Sequence, residues 1–226
     1  CNLTEINGSM CNTEQEFYDA CKASAILGTL QAGYTNFKYV TDITKDIFER
    51  EALLGCSITG FMNNPKILFN PEIQKKGANI IKATNKIISS LLNINQAART
   101  TCVKPSGNAS VLLGTGSGIH GEHSKKYFRN VQVNKEEDLG KYIKSVNSKM
   151  VENSLWSNNN SDWVISFPID AKEGSIFKKD LYGVKQLEFV KLTQQNWVEE
   201  GTNIELCVNK NIRHNVSNTI VVDDWE

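Results

Sequence analysis

The chain has 226 residues, with 25 Lys plus Arg balanced against 25 Asp plus Glu, and 40% of it is hydrophobic. Balanced charge offers no field for nucleic acid or an anionic membrane, so direct nucleic-acid binding is not expected. No apolar run approaches the roughly 20 residues that span a bilayer, and the composition is that of an ordinary globular domain, so a cytoplasmic protein is expected. No secretory signal is written in it, although a processed chain would not retain one.

The opening CNLTEI reads as a strand. Glu14 to Ala32 follows as a helix, with Phe17, Cys21, Ala25 and Leu27 on an apolar face. LLGCSITG, residues 53–60, is a short apolar run bounded by glycine and reads as a buried strand. Asn70-Pro71 opens a strong helix whose apolar positions are Ile73, Ile80, Ile81, Thr84, Ile87, Ile88 and Leu91. Arg99 to Val103 is a strand, Pro105 to Gly107 a turn, and an apolar helical turn starts after Asn108. SLWSNNNSD, residues 154–162, reads as an exposed loop. Asp162 to Ile169 is another strand, Gln186 to Glu200 a helix stopped by Gly201, and His214 to Asp223 the last strand. Strands alternating with helices predict an α/β fold with parallel pairing, as one domain over residues 1–226.

The six cysteines are Cys1, Cys11, Cys21, Cys56, Cys102 and Cys207, and no two form C-x-x-C. That spacing argues against zinc, and the scatter suits reduced, buried thiols better than a disulfide scaffold. The richest stretch is TTCVKPSGNASVLLGTGSGIHG, residues 100–121. Gly116, Gly118 and Gly121 spell G-x-G-x-x-G, but a dinucleotide fingerprint needs that motif at the first strand-to-helix turn of a βαβ unit. The segment after it, EHSKKYF, is polar and basic. The better candidate lies upstream, where Ser106, Asn108 and Ser110 suit a helix start. Exposed N–H groups and hydroxyls there could hold an anion, and the alternative is a plain cap and turn with no ligand.

CNLTEI, TTCVKPSGNAS, SGIHGEHSKKYFRN, LTQQNW and HNVSNTI, in that order, resemble adenosylcobalamin-dependent (class II) ribonucleotide reductases, and the monomeric ribonucleoside-triphosphate type most of all. The resemblance implies the second half of a ten-stranded α/β barrel, built from two five-stranded halves. It implies radical conversion of ribonucleoside triphosphates to deoxyribonucleotides for DNA synthesis, with adenosylcobalamin as cofactor and a thioredoxin-like dithiol as reductant. In that family a cysteine in an N-x-C-x-E motif becomes the thiyl radical. Asn2-Leu3-Thr4-Glu5 lacks both that thiol and its spacing, so this chain alone is expected to be inactive and to need a missing N-terminal half. A truncated sequence, a split gene or an intein product would each give such a chain. Cys1 matches one of the family's two reducing cysteines. Ser106, Gly107, Asn108, Ala109 and Ser110 match its substrate phosphate loop, with Asn-Ala where relatives carry Thr-Val or Thr-Ser. His120 and His123 fall where the family reads His-Pro-x-His-Ser, and a structural role is expected for both. The other five cysteines are expected in the core. The rival reading is a non-catalytic phosphate- or nucleotide-binding remnant that lacks the radical half.

Overall fold

A computed structural model describes residues 1–220 and divides the chain into two compact units, residues 1–122 with 173–226, and residues 123–172. In the larger unit β1 (Asn2–Asn7) and β2 (Leu54–Thr59) pair in parallel, with Leu3 opposite Gly55 and Glu5 opposite Ser57. Two more extended segments continue this layer. Thr101 bridges Cys56 in parallel, and Val103 bridges Val216 in parallel. All six residues of β2 are buried, as a parallel strand covered on both faces requires.

Helices α1 (Glu14–Ala32), α2 (Asp42–Glu51), α3 (Pro65–Leu68) and α4 (Pro71–Leu92) follow the expected chemistry at their starts. Thr13 and Glu16 form a capping box on α1, and the Asn70 side chain caps α4 ahead of Pro71. The faces they bury differ from the apolar stripes of the sequence. Leu27 of α1 is 57% exposed, and Ile87 and Leu91 of α4 are 61% and 76% exposed. α4 buries Ile73, Ile81 and Thr84 of its stripe and adds Gly77, Ala78, Asn85 and Ser89. A Cβ at Gly77 would stand 2.7 Å from Phe17 and 3.2 Å from Trp197, so close helix approach selected small residues there. The polar ones are satisfied: Asn85 donates to Thr29 Oγ1 and accepts from Ala97 N–H. Phe17, Leu54, Ile58, Phe61, Met62, Leu68, Ile81 and Trp197 lie at the centre of the core.

Next come α5 (Gly107–Leu112) and, in the smaller unit, β3 (Lys126–Asn134), α6 (Asp138–Val146), β4 (Val151–Asn153) and β5 (Asp162–Asp170). Here the expectation of parallel pairing fails. The strand read at 162–169 is central in an antiparallel sheet of order β3-β5-β4. The reason is visible in β3, where half-buried and exposed residues alternate strictly, the signature of a sheet with one covered face. Residues 154–161 form the expected loop, with Leu155 and Trp156 at 98% and 86% exposure, and Asp162 already opens β5. In the larger unit α7 (Val184–Thr193) runs on into a π-helical turn, Gln194–Val198.

The expected five-stranded half of a ten-stranded barrel is not seen as such. The described residues hold five strands in two sheets, and no closed barrel. The segments at 99–103 and 215–217 keep parallel hydrogen bonds but form only isolated bridges, and residues 221–223 of the last expected strand lie outside the described ones. Among the described residues no helix is long and apolar enough to cross a membrane.

Candidate functional site

One face of the parallel layer carries most of the chemistry. A Cβ built on Gly55 would lie 2.5 Å from Leu3, 3.1 Å from the Cys1 sulfur and 3.2 Å from the Cys102 sulfur. Glycine at 55 therefore lets the two thiols approach over β2. Glu5 and Ser57, two residues further along, share that face by the period of a strand.

Cys1 is exposed and unbridged, whereas Cys11, Cys21, Cys56, Cys102 and Cys207 are all buried free thiols. Burial pushes Cys102 up to about 12, and the neighbouring Cys56 adds to the effect. Burial likewise raises Cys21 and Cys56. Thiols held protonated in the core exchange slowly, which leaves Cys1 as the accessible sulfur of this face. Cys102 is not its disulfide partner in this arrangement. The two residues flank β2, so their backbones are about 9–10 Å apart by strand spacing, and bridging fails beyond ~7 Å.

The turn at residues 105–110 leaves the end of the third segment. Ser106 has φ 59° and ψ 22°, left-handed for a non-glycine residue, and it is buried with a hydroxyl that has no partner. Such strain gathers at ligand clamps and costs of order 1–3 kcal/mol. Ser106 stands at the N-cap position, but its side chain makes no capping bond, and the helix begins at Gly107 rather than after Asn108. Ser110 N–H closes the first turn on the Ser106 carbonyl, so the N–H groups of Gly107, Asn108 and Ala109 open at the helix start. Gly107 and Asn108 are exposed, and a Cβ at 107 would meet nothing within 4 Å. The Ser110 hydroxyl is spent on the Gly107 carbonyl at 3.0 Å.

The glycines downstream brace this turn. Gly116 N–H donates to Asn63 Oδ1 and Gly118 N–H to Thr59 Oγ1, both at 2.8 Å, so these amides are consumed inside the protein. Ser117 Oγ donates to the Pro105 carbonyl, and Gly118, at φ 52°, passes so close that a Cβ would meet Lys104 O at 3.1 Å. His120 bonds the Ser117 carbonyl through Nδ1, and its buried Nε2 has no partner. His123 lies tilted against Tyr127 in the smaller unit, with ring centroids 5.7 Å apart. The sequence reading missed Glu5, Ser57 and Lys104. Lys104 Nζ pairs with Glu5 at 2.8 Å, Ser57 Oγ donates to Glu5, and Lys104 N–H donates to Ser57 Oγ. Only the alternation Cys1, Leu3, Glu5 hinted at this face.

No family model matches the chain. It is 26% identical over 161 residues to a probable adenosylcobalamin-dependent ribonucleoside-triphosphate reductase of Dictyostelium discoideum, covering 69% of this chain and 21% of that one. It is 25% identical over 163 residues to the adenosylcobalamin-dependent ribonucleoside-triphosphate reductase of Euglena gracilis, covering 69% and 22%. A solved B12-dependent (class II) ribonucleotide reductase superposes with a TM-score of 0.68 at 16% identity, over 87% of this chain and 31% of that one. Sequence and fold point to the same reductases. The chain spans about a fifth of the length of the relatives it matches.

Proposed function

We propose that this chain is the C-terminal half of the catalytic barrel of an adenosylcobalamin-dependent ribonucleoside-triphosphate reductase. Cys1 supplies one thiol of the reducing pair and residues 106–110 seat the substrate phosphates. Removing the ribose 2′-hydroxyl as water takes two electrons. Two thiols deliver them by closing a disulfide, which a thioredoxin-like dithiol then reopens. A second thiol from the rest of the enzyme completes the pair, since Cys102 stands too far across the layer. The observation that carries the reading is the helix start at Gly107. It offers open N–H groups, an unpartnered buried Ser106 hydroxyl and unfilled space, with β2 lying between its segment and the strand that Cys1 leads.

Neither of two cavities among the described residues is large enough to seat the cofactor by itself. The cavity beside His120, Lys178 and Gln186 is about 200 Å³, and the open groove along Tyr18 and Lys76 about 520 Å³. Such spaces suit drug-sized ligands at most, and a corrin is far larger. The roles given to Cys1 and to the turn do not depend on it.

The test is Gly107→Asp, with ATP binding to the chain measured by equilibrium dialysis. A side chain at 107 points into open space, so the fold persists while its carboxylate repels phosphate. Affinity should fall by at least about tenfold, the size of one lost charge-assisted contact. Unchanged affinity would overturn the phosphate reading.

A further inference from the structure

The turn at 106–110 contains no cation, and α5 has only six residues, too short to supply much field of its own. One residue before Pro105, however, stands Lys104, whose ammonium lies on the site's face beside Glu5. Its ammonium has three donors and stands 2.8 Å from Glu5 Oε2, an ion pair without the alignment of a hydrogen bond. Its side chain retains 24% exposure, while that of Glu5 keeps only 8%. Glu5 is in turn gripped by the Ser57 hydroxyl, and Ser57 also accepts from the Lys104 backbone at 3.0 Å. A lysine is thus held at both its backbone and its tip, on the face that carries Cys1, at the entrance to the turn.

We propose that Lys104 binds the polyphosphate of the substrate, and that Glu5 and Ser57 are positioning residues that aim its ammonium. The inference rests on the phosphate reading of residues 106–110 and deepens it. A flexible lysine would lose rotamer freedom on meeting an anion, and a pre-held one has already lost it. Its N–H donors remain for phosphate oxygens.

The bland alternative is a buried ion pair that only supports the sheet, and the two separate by experiment. Binding of inorganic tripolyphosphate to the 226-residue chain would be measured calorimetrically, alongside thermal unfolding, for the parent, Lys104→Met, Lys104→Arg, Lys104→Met/Glu5→Gln and Gly107→Asp. Removing the lysine alone leaves Glu5 buried without its counter-charge, so Lys104→Met loses both binding and stability. The double variant removes both charges, so it should regain the melting temperature yet still bind tripolyphosphate about tenfold or more weakly. Lys104→Arg should stay within about threefold of the parent, since it keeps the charge on a side chain of similar reach. A double variant that binds like the parent would overturn the role of Lys104 while leaving the turn in place, provided Gly107→Asp still fails to bind. A parent chain that is folded yet ignores tripolyphosphate would overturn both.

Discussion

Selective alkylation of the cysteines probes the division of labour among the thiols. Cys102 lies within reach of the same point above Gly55 as Cys1, yet burial raises it from 9.0 to about 12 while Cys1 stands exposed. Only the thiolate is alkylated. At pH 8 a thiol of pKa 9.0 is about one-tenth ionised, and one near 12 about one part in ten thousand. Folding should therefore slow alkylation of Cys102 by roughly a thousandfold relative to the same residue in urea, and its 7% exposure makes that a lower limit. The assay is a time course with iodoacetamide at pH 8, native and in urea, read peptide by peptide by mass spectrometry. Cys1 should be labelled first, with Cys21 and Cys56 also slowed, because burial raises both thiols. Native labelling of Cys102 within about tenfold of its rate in urea would refute the buried-thiol argument. The case for Cys1 as the accessible redox sulfur would then lose its contrast.

Cys1→Ser, placed in the complete reductase and assayed with excess dithiol, should still bind nucleotide but fail to sustain repeated turnover; steady turnover near the parent rate would make Cys1 merely structural. The pH dependence of stability should carry the mark of His214, whose pKa is lowered by burial and which bonds the Thr101 carbonyl through Nδ1. A folded pKa below the unfolded one means that the unfolded chain takes up the proton first, so this contribution is full above about 6.5 and declines as pH falls through that range. Urea midpoints should therefore drop from pH 7.5 to pH 5.5, and His214→Gln should flatten the drop. An equal drop in the variant would assign it to other groups.

Local chemistry was legible in the order of residues. Asn70 with Pro71 announced one helix start, because caps act over three or four neighbouring positions. The uninterrupted apolar run at 54–59 announced a strand buried on both faces. The family resemblance, not the cysteine spacing, set Cys1 apart from the five thiols expected in the core, and PSGNAS already read as a helix start. Other features needed the tertiary structure. Leu27, Ile87 and Leu91 sit at helical spacing but face outward. The contact between α1 and α4 is set by how closely the backbones approach at Gly77, and no periodicity encodes that. The strand at 162–170 pairs antiparallel because of its neighbours, not its own residues. The G-x-G-x-x-G pattern became a brace only when Thr59 and Asn63, more than fifty positions upstream, took up its amides. Glu5 and Lys104 lie 99 positions apart and meet only because parallel pairing stacks their segments on either side of β2. Sequence determines what each short segment can become. Which side chains share a face is decided by pairings between distant segments, whose energies exist only once the sheet has formed.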